Sequence, residues 1–139
     1  MSYSNPNRQT YSFGTRDTDA GDEVFAVLGP KGKAGRVYDY GIMHVTEAFT
    51  ATTLPCYVSV GTVADADAYA EEIGMGTAAI DSGGVSMRNS LTQDQITARE
   101  AALSPNIPAD TIFALHVTEA TGGTPAGIGI PFMVIDWDD

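Results

Sequence analysis

From Asp22 onward the apolar positions either alternate with polar ones or cluster in short runs, and both patterns belong to β-strands. Val24-Phe25-Ala26-Val27-Leu28 reads as a buried strand closed by Gly29-Pro30. Val37 to Phe49 is the longest strand signal, with Tyr38, Tyr40 and Ile42 on one face, Val37, Met43 and Val45 on the other, and Gly41 marking a bulge. Pro55 to Gly61 is a further strand; Cys56, Val58 and Val60 point one way, Tyr57 and Ser59 the other. Thr111 to Glu119 and Ile128 to Trp137 are joined by the Gly-rich loop Thr121 to Gly127, and strands so connected are expected to pair antiparallel. One interruption looks helical. Between Asp65 and Ile73 acidic residues come early, alanines lie within and Gly74 follows as a stop, which predicts a helix of about two turns. Gln95 to Leu103 fits a helix and a strand equally well.

Glycines (15) and prolines (7) punctuate the whole length, so no internal boundary is expected. Residues 1–21 carry no apolar period beyond Tyr11 and Phe13 and read as an extended N-terminal arm, ordered only where something holds it, ahead of a single domain over 22–139. The sum is an all-β chain: a β-sandwich or jelly roll of about seven or eight antiparallel strands with one short helix, rather than a layered α/β fold. At 139 residues, 43% hydrophobic and 18% charged, the chain has material for one core. The single cysteine, Cys56, excludes a disulfide framework within the chain. No stretch approaches the ~18 apolar residues of a membrane span, and Met1 to Thr10 lacks an apolar h-region, so neither a membrane segment nor an ordinary signal peptide is expected.

Charge narrows the function. Seven basic against eighteen acidic residues leave a net charge of −11, a field that repels a polyanion, so direct nucleic-acid binding is not expected. Lys31, Lys33 and Arg36 nevertheless gather three of the seven basic residues into six positions. This knuckle is either a solvated turn or a contact for an acidic partner surface. It is not a phosphate loop: two residues, not four, separate Gly29 from Gly32-Lys33, and Ala34 stands where Ser or Thr would hold magnesium.

Reactive groups are sparse. Ala79-Ile80-Asp81-Ser82-Gly83-Gly84 is similar to the active-site turn of retroviral-type aspartic proteases, in which two chains each supply one aspartate, here Asp81. Gly84 departs from the Ala or Ser usual at its position in that motif, and a Gly-rich turn between strands explains the tetrapeptide more simply. His44, His116 and Cys56 fall on strands without a second ligand at metal-binding spacing, so no metal, cofactor or catalytic residue is expected. Tyr38, Tyr40 and Tyr57 would make an aromatic platform for a glycan if all three pointed outward.

The phrasing of the chain carries a broader likeness. Met1-Ser2-Tyr3-Ser4-Asn5-Pro6, Gly29 to Arg36 leading into Asp39-Tyr40-Gly41, Val45 to Phe49, Val58 to Thr62 before Asp65 to Ala70, and Ile107 to Thr111 before Thr121 to Gly127 together resemble the small decoration, cement or auxiliary head proteins of tailed bacteriophages. The resemblance implies a β-sandwich or jelly-roll body, a homo-oligomer (a trimer before a dimer), and a place on the outer surface of the virion's head. The partner implied is the major capsid protein, whose joints such proteins bridge. On this reading the contact residues are Lys31, Lys33 and Arg36 of the knuckle with Tyr3, Pro6 and Arg8 of the arm.

Overall fold

The computed structural model describes residues 7–75, 84–88 and 106–138. Ten strands run along them: β1 (Arg8–Ser12), β2 (Arg16–Asp17), β3 (Glu23–Leu28), β4 (Gly35–Thr50), β5 (Tyr57–Gly61), β6 (Ala70–Gly74), β7 (Gly84–Ser86), β8 (Asn106–Ile107), β9 (Ile112–Thr118) and β10 (Ala126–Trp137). They form two antiparallel sheets, as a β-sandwich requires. The larger has the order β1-β10-β4-β7, with β2 also paired to β10 and β8 to β4; the smaller has the order β3-β9-β5-β6. Val37, Tyr40, Ile42 and Ile135 from the first meet Val58, Val60, Phe113 and Leu115 from the second in one core. Trp137 closes one end, its ring lying over Gly29 and Gly35, where a Cβ would stand 2.2 and 2.6 Å from ring carbons.

Several expectations are corrected. There is no helix among the described residues. Thr62 to Tyr69 is a loop, and Ala70–Gly74 is a strand whose register against β5 skips a residue: Val58 faces Ile73 but Val60 faces Ala70. That bulge turns both Glu71 and Glu72 outward and leaves Ala70 and Ile73 buried, so a spacing of three that resembles a helical turn is a feature of strand pairing. The final two strands do not pair with each other. β9 lies in the smaller sheet and β10 in the larger, and the loop between them crosses the sandwich, tied by the Leu54–Thr121 bridge. Val24 to Leu28 is not buried throughout; it is an edge strand that alternates between the interior and solvent.

The expected arm is largely part of the body. Arg8 to Ser12 pairs with Asp136 to Phe132, and Arg16–Asp17 with Gly129 and Ile128, so β10 is what holds it. Phe13, between these strands, stacks on Phe25 of β3 with centroids 4.6 Å apart, which joins the two sheets at that side. In β4 the bulge is not at Gly41, which sits in regular register opposite Phe132. It falls at Tyr38, between Val37 opposite Ile135 and Asp39 opposite Val134, and further shifts follow between Met43 and Thr50, where His44 has φ +51°.

Candidate partner-binding face

The bulge at Tyr38 determines what the larger sheet presents to solvent. It breaks the alternation of β4, so that Val37 and Tyr40 both face the core while Tyr38 and Asp39 both remain half-exposed outside. Beside them a polar row crosses four strands: Arg8 of β1 stands opposite Asp136 of β10, Asp136 opposite Arg36 of β4, and Arg36 opposite Asn106 of β8. Arg8 and Asp136 form a two-point ion pair, Nε to Oδ1 at 2.6 Å and Nη2 to Oδ2 at 3.0 Å. The Asp136 carboxylate raises the Arg8 pKa, chiefly through this hydrogen bond.

Tyr38 is the centre of the face. The Arg8 guanidinium carbon lies 3.5 Å from its ring centroid and that of Arg88 3.7 Å. Two planar groups that close would overlap on one side, so they take opposite sides and the ring is sandwiched between cations. Arg88 is fixed further: its Nε donates to the Tyr38 carbonyl at 2.6 Å and its backbone N–H to Asp39 Oδ1 at 3.1 Å. Met87 N–H donates to the Tyr40 carbonyl just beyond β7, which positions the turn carrying Arg88. Three arginines against two carboxylates make a locally cationic surface on an acidic protein. Guanidinium groups held in place in this way suit planar anionic partners such as side-chain carboxylates.

The knuckle flanks this face. Pro30 accepts from Lys33 N–H at 3.2 Å, closing a turn with Gly32 at φ +75°, and Asp110 Oδ1 anchors the Gly32 N–H at 2.7 Å. Lys31 and Arg36 are exposed and Lys33 half-buried. Of the residues predicted to touch a partner, Arg8 and Arg36 are brought together by Asp136, and Lys31 and Lys33 lie on the turn leading into the same strand. Tyr3, Pro6 and Asp81 are outside the described residues. The sequence does not point to Arg88, because no local spacing relates it to Arg8 or Tyr38. The expected tyrosine platform is not assembled: Tyr40 is fully buried, its hydroxyl donating to the Glu71 carbonyl, and Tyr57 belongs to the other sheet.

Comparison of the chain with protein-family models, with curated proteins and with solved structures gives no match.

The reactive side chains lie apart from the cationic face. His116 is buried on β9 with Nε2 2.7 Å from the Thr62 carbonyl, and His44 is exposed on β4. Among the described residues no three His, Cys, Asp or Glu side chains are placed to hold a metal ion. Burial pushes the Cys56 thiol from its ordinary 9.0 up to about 12. The unfolded chain therefore loses this proton first as pH rises. Its contribution to stability is complete below 9.0 and is lost as pH climbs toward about 12, by up to roughly tenfold in the folding constant per pH unit. Urea midpoints between about pH 8 and about pH 10.5 should fall more steeply for the wild type than for Cys56→Ala; parallel curves would show that the folded chain leaves this thiol unperturbed.

Proposed function

We propose that this protein is a non-enzymatic structural component of a tailed-phage particle, a decoration or cement protein that seats on the outer surface of the head and bridges major capsid subunits. The observation that supports the reading most is the Arg8–Tyr38–Arg88 stack with Arg36 beside it. Arg8, Arg36 and Tyr38 are carried on paired strands and Arg88 is tied to the Tyr38 carbonyl and Asp39, so they lose little conformational freedom when a partner docks, which is what a rigid clamp needs. An acidic loop of the capsid is the complementary partner, while the net charge of −11 keeps the protein away from packaged DNA. Bridging by an oligomer multiplies weak contacts through effective concentration.

Co-sedimentation with heads lacking the protein tests this. The wild type should pellet with them in a salt-sensitive manner, and Arg36→Glu combined with Arg88→Glu should weaken binding by at least about tenfold, or ~1.4 kcal/mol. Both residues are exposed, so circular dichroism of the double variant should match the wild type. Unchanged binding by the variant would dismiss this face as the contact, and a wild type that stays in the supernatant would dismiss the capsid role.

A further inference from the structure

Strand β3 is an edge of the smaller sheet, hydrogen-bonded to β9 on one side only among the described residues. Half of its backbone N–H and C=O groups therefore point away from the sheet. Natural edges are usually blunted by lysine, proline or an inward charge; β3 has one charge, at its first residue Glu23, and Val24 to Leu28 has none of these. Its outward side chains are also apolar. Val24 is 47% and Leu28 62% exposed, and Ile112, directly opposite Leu28 on β9, is 57% exposed. The edge of the other sheet differs: β1 presents Arg8, Gln9 and Thr10.

We infer that β3 pairs with β3 of a second copy of this chain, antiparallel about a two-fold axis at Ala26, joining the two smaller sheets into one eight-stranded sheet. Residues opposite each other across a continuous sheet must point to the same face, so the register couples residues of equal parity. Centring on Ala26 sets Val24 against Leu28 and Phe25 against Val27 of the partner copy. The outward apolar row of each copy is then continued by the other.

Charge selects a second copy as the occupant. The segment leading into β3 carries Asp17, Asp19, Asp22 and Glu23, and the segment leaving it carries Lys31 and Lys33. Arg16, which reaches Glu23 at 3.8 Å, is the one cation among these four carboxylates, so this end keeps a surplus of negative charge. Antiparallel pairing lays the acidic end of one copy beside the basic end of the other, twice. Parallel pairing would put like charges together.

Mass measured in solution by sedimentation should be twice that of one chain at micromolar concentration. Leu28→Lys, at a position exposed within one chain, should keep the fold by circular dichroism and raise the dimer dissociation constant at least about tenfold. Opposed Cα atoms in an antiparallel pair lie ~4.5–5.5 Å apart, within disulfide reach, so Ala26→Cys should cross-link under mild oxidation while Thr124→Cys, an exposed control, should not. A monomeric or trimeric wild type, a dimer indifferent to Leu28→Lys, or no Ala26→Cys cross-link would each overturn the proposal. None of these readouts involves capsids, so they are independent of the decoration reading.

Discussion

Phe113→Ala is expected to lower stability by about 3–5 kcal/mol, a large share of the ~5–15 kcal/mol that holds a domain of this size folded. The side chain is completely buried on β9 and crosses the sandwich to touch the opposite sheet at two points. Tyr11 of β1 meets it edge-on with centroids 5.8 Å apart, and Trp137 of β10 at 5.6 Å. Truncation removes the ring's own burial and leaves a void that neither aromatic neighbour can fill, since Trp137 rests on Gly29 and Gly35 and cannot tilt far without losing that seat. Phe113→Leu, which keeps most of the volume, should cost less than about 1.5 kcal/mol. Urea unfolding followed by circular dichroism measures both, and the single tryptophan should report the same transition because it adjoins the altered site. A loss below about 1 kcal/mol for the alanine variant would mean that the two sheets are not held together here.

Gly61→Ala should be the second most damaging exchange, at about 2–3 kcal/mol, even though it adds a single methyl group. Gly61 ends β5, and the chain then folds back over the outer face of the smaller sheet. A Cβ at this position would lie 2.0 Å from the Asp65 carbonyl oxygen and 2.7 Å from the Ala66 carbonyl carbon. These are backbone atoms, so no side-chain rotation relieves the clash. The loop would have to lift, giving up the Ser59 hydroxyl's bond to the Ala66 carbonyl at 2.8 Å, the His116 contact with the Thr62 carbonyl, and the Thr62–Asp65 turn. Ser59 and His116 would then exchange these bonds for bonds to water, at a net loss of about 0.5–1.5 kcal/mol each. Amide hydrogen exchange should accelerate at Thr62, Asp65 and Tyr69, whose N–H groups are bonded within this loop or to β5, well before the β4–β10 ladder is affected. Wild-type exchange at those three amides in a stably folded variant would show that the loop does not rest on Gly61.

How much of the fold is legible in the amino-acid sequence depends on the range of the interaction. Cys56, Val58 and Val60 could be assigned to the core face of one strand because side chains alternate by backbone geometry, and all three are buried. The same rule fails at Val37 to Tyr40, and the helix expected over Asp65 to Ile73 gives way to a strand at Ala70 to Gly74; in both places a bulge shifts the parity and no residue type announces it. At the candidate face, Lys31, Lys33 and Arg36 were visible as a cluster because they are close in sequence. The stack on Tyr38 was not, since Arg8 and Arg88 reach it from distant segments.

The all-β class and the position of most strands are local properties, written in alternation, turn residues and the scarcity of helical periods. Strand neighbours are a different matter. A period of two states which side of a strand seeks the core, and that demand is met equally well beside any partner whose apolar side faces the same way. Nothing in Thr111 to Glu119 or Ile128 to Trp137 forbids the hairpin expected of them; packing instead places them in opposite sheets and gives β10 to β1, β2 and β4. The cationic face follows from that assignment, because Arg8, Asp136 and Arg36 share a row only when β10 lies between β1 and β4.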